Sequence, residues 1–217
     1  MTATSTPPDT RFRRWQSQRE GLALLGVIVG VMWMVEVINT LDSNRLDGDG
    51  LHARDVGRAW GILTAPFIHA SFQHLIANSL PLVFMGAIIA LRGARLLARV
   101  TLFVIVVGGI GTWLISPSHE TIAGQTSSVV TIGASGLVFG YAAYLVARGF
   151  FERSLLDLFV GLVVGVVWGG ALISSVVPHY GISWQAHVCG AIAGLLAAYA
   201  FSDRRRALRA ATAPGPN

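Results

Sequence analysis

Four residues of this sequence have types and positions suited to chemistry. His74, Asn78, Ser135 and His187 each lie near the start of an apolar run. Ionisable and strongly polar groups at membrane depth are costly and mark functional sites. Ser135 stands in Gly133-Ala134-Ser135-Gly136, at the head of the run 135–150. Glycines permit tight turning and close backbone approach. A helix N-terminus there offers free N–H donors and a dipole suited to an anion. A serine so placed can be a nucleophile beside its own oxyanion site. It can also be a simple helix cap, with Gly133 and Gly136 serving only close packing. His74 and Asn78, four apart, share a helical face. His69 and His74, five apart, do not, and make a poor metal pair. A membrane histidine can equally be a hydrogen-bonding residue or a haem or metal ligand, so residue types alone leave its role open.

The elements that carry these groups must be built in lipid. Of 217 residues, 53% are hydrophobic and only 12% charged, about half the ~25% usual for soluble domains. A soluble globular protein is nearly excluded. Every basic residue is arginine, sixteen against eleven acids. These arginines flank apolar runs instead of forming one patch, so membrane topology accounts for them better than nucleic acid does. The single Cys189 cannot form an internal disulfide.

Six apolar runs occupy 21–41, 74–91, 96–116, 135–150, 155–177 and 184–201. A spanning helix needs roughly 17–25 residues, so six crossings are expected, the fourth short. The chain divides into a basic tail (1–20), a six-helix domain (21–201) and a second basic tail (202–217) expected to be disordered. With the N-terminus inside, inner segments hold thirteen arginines and the outer side only Arg45, Arg54 and Arg58. The positive-inside rule therefore predicts that both termini are cytoplasmic. Measured from the first inner arginine at ~1.5 Å per residue, Asn78, Ser135, His187 and His74 lie ~20–27 Å deep. A hydroxyl, two imidazoles and an amide thus share one layer on the outer side of the midplane. The fourth run reaches only ~24 Å against a hydrocarbon core of ~30 Å. Its N-terminus must therefore begin below the outer surface, entered by a loop buried in protein or lining a wet cavity.

The first outer loop, 42–73, is long enough to be structured, and short amphipathic helices at the interface are expected there. Gly190 and Gly194 form a small-xxx-small face that draws another helix near His187. Glu36, Glu152 and Asp157 lie close to span ends, where boundary solvation is expected. His52, His119 and His179 fall in outer loops with no visible role.

Three motifs together resemble the rhomboid intramembrane serine proteases. Gly133-Ala134-Ser135-Gly136 resembles their GxSG nucleophile motif. Ala186-His187, continuing to Gly190 and Gly194, resembles their AHxxGxxxG on the last helix. His69, His74 and Asn78 match their HxxxxHxxxN segment. The match runs from about Trp60 to Gly194. The resemblance implies an all-α, six-transmembrane-helix rhomboid-like bundle with a short central fourth helix and a structured first outer loop. It implies a dyad in which Ser135 attacks a scissile carbonyl and His187 acts as base, then acid. The oxyanion would be held by the Ser135 backbone N–H, His74 and Asn78, with Gly133, Gly136, Phe139, Gly190 and Gly194 in support. It implies transmembrane substrates cut near their outer end, entry past the helix at 155–177, no cofactor or metal, and a bacterial plasma membrane.

Two departures stand out. Trp60 is followed by Gly61 where the family often has Arg, which puts its loop salt-bridge network in doubt. Phe139 stands where the family often has Tyr, and can still present a ring face to the catalytic histidine. An inactive rhomboid-like protein that binds membrane clients is the alternative, although such relatives typically lack the Ser or the His. A cofactor-binding or transport protein using the membrane histidines is a third, and it leaves the Gly133–Gly136 turn unexplained.

Overall fold

The computed structural model describes residues 10–122, 125–177 and 181–202. It consists mainly of helices: α1 (Thr10–Leu41), α2 (Gly61–Thr64), α3 (Phe72–Ala90), α4 (Ala94–Phe103), α5 (Gly109–Ile115), α6 (Ser135–Glu152), α7 (Leu155–Ser174) and α8 (Trp184–Ala200). A π-helical stretch at 104–108 joins α4 to α5 into one continuous rod. Each apolar run of the sequence therefore appears as a helical segment. Among the described residues, 13–41, 72–90, 94–115 and 155–174 are long and apolar enough to cross a membrane. The helices α6 and α8 have 18 and 17 residues. The first helix begins at Thr10, so Arg13, Arg14 and Arg19 ride on it. The C-terminal tail beyond Ser202 and His179 lie outside the described residues.

Local sequence sets the helix boundaries. Ser71, Ser154 and Ser183 cap α3, α7 and α8 by accepting the N–H of His74, Asp157 and Ala186, which satisfies donors that lack an intrahelical partner. Between α3 and α4 the chain turns at Gly93, whose φ of +117° only glycine adopts readily. Helix α6 lies at the centre, with Tyr141 and Tyr144 fully buried. Its tightest neighbour is α8. A Cβ at Gly190 would fall on the Gly136 carbonyl, and one at Gly194 on the Gly140 carbonyl. The small-residue face thus seats the two backbones directly against each other. Without lipid-excluded apolar surface to drive association, such close packing is what holds membrane helices together.

The first loop is folded, but not by amphipathic helices at the interface. It forms short 3-10 turns at 45–49, 56–58 and 65–67, the one-turn α2, and the strand β1 (Leu51–His52). Gly48, Gly50, Gly57 and Gly61 leave no stretch able to sustain a longer helix. Three further strands lie in the next outer loop: β2 (His119–Ile122), β3 (Gln125–Ser128) and β4 (Val130–Thr131). Strands β2 and β3 form an antiparallel hairpin. Strand β1 pairs antiparallel with β4, Leu51 opposite Thr131, and so ties the first loop to the segment that leads into α6. Arg54 reinforces this tie by donating to the carbonyls of Leu114 (2.9 Å) and Ser116 (2.7 Å). Arg58 donates to the Gly48 carbonyl and contacts the His52 ring instead of a carboxylate.

Boundary solvation fails for the three acids near helix ends. Glu36 is 1% exposed and its carboxylate has no hydrogen-bond partner among the described residues. The buried face of α1 runs through Met32, Glu36 and Asn39, and helical periodicity turns Glu36 inward whatever its distance from the helix end. Asp157 is buried and pairs with Arg92 and Arg148, and Arg148 also pairs with Glu152 at 3.2 Å. The sharp α6–α7 turn, with Arg153 at φ 53°, folds the first turn of α7 onto the last turn of α6. Asp157 and Glu152 then find arginines in place of water.

Candidate active site

Ser135 is the first residue of α6 and His187 lies in the first turn of α8. Because α6 and α8 touch through their glycines, the two side chains meet: Ser135 Oγ is 2.9 Å from His187 Nε2. The other ring nitrogen, Nδ1, is 2.7 Å from the Ser175 carbonyl oxygen. A carbonyl can only accept, so Nδ1 carries the proton and Nε2 is left with its lone pair toward the hydroxyl. This is the tautomer a general base requires. Phe139, one helical turn after Ser135, stacks on the imidazole at 4.3 Å and 6°. The ring is thus fixed on one face by an aromatic and along its edge by a hydrogen bond.

The turn before Ser135 is held by the first loop. The Gly133 N–H donates to the Ala65 carbonyl (2.9 Å), and the Ala134 N–H to His69 Nε2 (3.2 Å). The N–H groups of α6, beginning with Ser135, precede any intrahelical acceptor. Gly133 has a φ of +108°, and a side chain there would meet His74 Nε2 at 2.8 Å and Asn78 Nδ2 at 3.5 Å. Both side chains of α3 therefore converge on the backbone beside Ser135. Asn78 Nδ2 is buried and donates to nothing among the described residues. The arrangement brings a hydroxyl, a correctly oriented imidazole, two side-chain groups able to donate and a helix N-terminus to one place. Such a set can activate an alcohol and receive negative charge on an adjacent oxygen.

The structure thus brings together His74, Asn78, Ser135, Phe139 and His187, as the spacing predicts, and packs Gly136, Gly190 and Gly194 at the helix contact beneath them. Sequence reasoning missed two contributors, Ser175 and Asn39, and the part played by a third, His69. Ser175 acts through its backbone carbonyl, for which no side-chain signal exists. His69 is fully buried against the Ala134 N–H and stacks edge-on with His74 at 5.1 Å. Burial pushes its pKa down to about 4, the neighbouring His74 acting in the same direction, so it stays a neutral acceptor. Asn39 of α1 donates to the His69 carbonyl (3.3 Å) and to Asp47 (2.8 Å), and accepts from the Leu46 N–H (3.0 Å). The order of His69 before His74 was visible; that it faces residue 134 was not.

Comparison with known proteins gives the chain a family. Residues 56–204 match the family model of the Rhomboid domain. An uncharacterized protein of Mycobacterium tuberculosis is 36% identical over 211 residues, 95% of this chain and 85% of the relative. One of Mycobacterium leprae is 38% identical over 207 residues, 94% of this chain and 80% of the relative. A Bacillus subtilis protein whose name proposes a rhomboid protease is 25% identical over 144 residues, 66% of this chain and 67% of the relative.

Proposed function

Since the chain belongs to the rhomboid family, we propose that it is an intramembrane serine endopeptidase that cuts transmembrane segments of other membrane proteins near their outer ends. The bond from Ser135 Oγ to His187 Nε2, with Nδ1 anchored by Ser175, carries this reading. As Ser135 Oγ bonds to the scissile carbonyl carbon, its proton passes to His187 Nε2. Negative charge gathers on the carbonyl oxygen, next to the Ser135 N–H, His74 and Asn78. When the tetrahedral species collapses, the C–N bond breaks and the imidazolium gives its proton to the departing amine. Water then attacks the acyl-enzyme carbonyl, giving a proton to His187. As this second tetrahedral species collapses, the bond to Ser135 Oγ breaks, the carboxyl product leaves and the imidazolium returns the proton to Ser135. No acidic third member is needed to select the tautomer, because the Ser175 carbonyl does so.

The six helical rods are taken to cross a bacterial plasma membrane with both termini on the arginine-rich cytoplasmic side. The substrate would enter past α7. Side chains placed at Gly165, Gly169 and Gly170 would meet nothing within 4 Å, so this part of α7 presents a small-residue face on which a substrate helix could lie. A small apolar cavity of about 50 Å³ beside the turn, lined among others by Gly133, Gly136 and Ala186, favours a small residue at the cleaved bond. The test is labelling of purified protein with a fluorophosphonate, together with cleavage of a single-span reporter. Wild type should label at Ser135 and cut, while Ser135→Ala and His187→Ala should do neither. A folded wild-type protein that binds reporter, never labels and never cuts would instead be an inactive client-binding protein.

A further inference from the structure

At the end of the bundle opposite Ser135 lies an open cavity of about 940 Å³ bordered by α1, the α3–α4 turn, α4, α6 and α7. Five arginines line it: Arg14, Arg92, Arg95, Arg99 and Arg148. Two of them are engaged by carboxylates, Arg92 by Asp157, and Arg148 by Asp157 and Glu152. Arg14, Arg95 and Arg99 have no acidic partner among the described residues. Among the described residues, five guanidinium groups against two carboxylates leave a net charge of +3 around one concavity. Like charges gathered this way repel unless an anion joins them.

The same cavity is walled by Ile88, Leu156 and Val160, and Leu156 continues outward onto the bundle surface at 66% exposure. A soluble anion would find charge here but have no use for the apolar wall. A molecule with a phosphate at one end and hydrocarbon at the other fits both. Trp15, half exposed with Arg19 stacked over its ring at 4.6 Å, sits at the same end, as aromatic and basic residues do at headgroup level. Basic pockets between membrane helices bind anionic headgroups, and the planar guanidinium fork matches phosphate oxygens two at a time.

We propose that this cavity binds an anionic phosphoglycerolipid, its phosphate held by Arg14, Arg95 and Arg99 and its acyl chains lying against Ile88, Leu156 and Val160. The site lies at the far end of α6 from Ser135 and is independent of the proteolytic reading. Bound lipid would link α1 to α4 through its phosphate and both to α7 through its acyl chains.

The test is native mass spectrometry of the full chain released from nanodiscs of mixed phosphatidylglycerol and phosphatidylcholine. Wild type should retain phosphatidylglycerol at least tenfold over phosphatidylcholine. The triple variant Arg14→Gln, Arg95→Gln, Arg99→Gln should lose that preference. All three side chains are exposed, so the variant should fold, and an unchanged melting temperature in phosphatidylcholine alone checks this. Arg45→Gln, in the first outer loop, should retain the lipid like wild type. Equal retention of both lipids by wild type would overturn the proposal, as would undiminished preference in the triple variant. Displacement of phosphatidylglycerol by millimolar inorganic phosphate would also overturn it, since a simple anion site would then account for the binding.

Discussion

Replacing Gly190 by alanine puts a methyl group where α8 rests on α6. The added carbon would lie 2.8 Å from the Gly136 carbonyl carbon and 3.0 Å from its Cα. Non-bonded carbons settle at about 3.5–4.0 Å, and the Gly136 carbonyl oxygen lies nearer still, so the backbones must part locally by at least ~0.7 Å. Ser135 adjoins Gly136, and His187 lies three residues before Gly190, so this displacement falls on the 2.9 Å contact between them. Stretched to roughly 3.6 Å, it leaves hydrogen-bond range. Misplacement of reacting groups by about 1 Å costs on the order of 10²-fold in turnover, while overpacking costs about 1–3 kcal/mol of stability. Reporter cleavage, fluorophosphonate labelling and thermal unfolding of the same purified sample separate the two effects. Gly190→Ala should remain folded with a lowered melting temperature and lose about two orders of magnitude in both chemical readouts. Gly194→Ala meets Gly140 in the same way, one turn further from the dyad, and should lose similar stability with less turnover. Gly26→Ala, with nothing within 4 Å, should leave turnover unchanged and should not lower the melting temperature, since alanine favours a helix interior over glycine. If Gly190→Ala cleaved at the wild-type rate with an unchanged melting temperature, the glycine contact would not be what sets the Ser135–His187 distance.

Three further outcomes are expected. Asn78→Ala should lower turnover by roughly 10²–10³-fold, the usual worth of one oxyanion donor, with substrate affinity little altered; unchanged turnover would remove Asn78 from the site. The folded protein holds the His69 proton more weakly than the unfolded chain does, about 4 against 6.5. Stability from neutral His69 is therefore complete above pH ~6.5 and lost progressively as pH falls toward 4. Melting temperatures at pH 7.5 and 5 should differ more in wild type than in His69→Gln, which keeps an acceptor for the Ala134 N–H but does not titrate; equal differences would clear His69. Glu36→Gln relieves an unpaired buried carboxylate, whose desolvation is costly, and should melt no lower than wild type. A marked drop would mean that the charge has a partner.

Much of the site was legible because helices convert spacing into direction. His74 and Asn78, four apart, had to share a face, and Ser135 had to begin a helix entered through glycine. Gly190 and Gly194 announced a close helix contact for the same reason. Rules of this kind fail where direction depends on a neighbouring element. The first loop gave no local sign that β1 would pair with β4, and distance from a helix end misjudged Glu36, Glu152 and Asp157, since it ignores which way each side chain faces.

Composition and charge distribution by themselves determined a helical chain built for lipid, because apolar length and arginine placement are local quantities. Only the tertiary structure decided that residues 135 and 187 touch and that a backbone carbonyl at 175 orients the imidazole. It alone set His69 beneath residue 134 and gathered the arginines of three segments around one cavity. Each of these depends on how far two distant backbones approach. That distance is set by packing between elements, which the order of residues along one element does not encode.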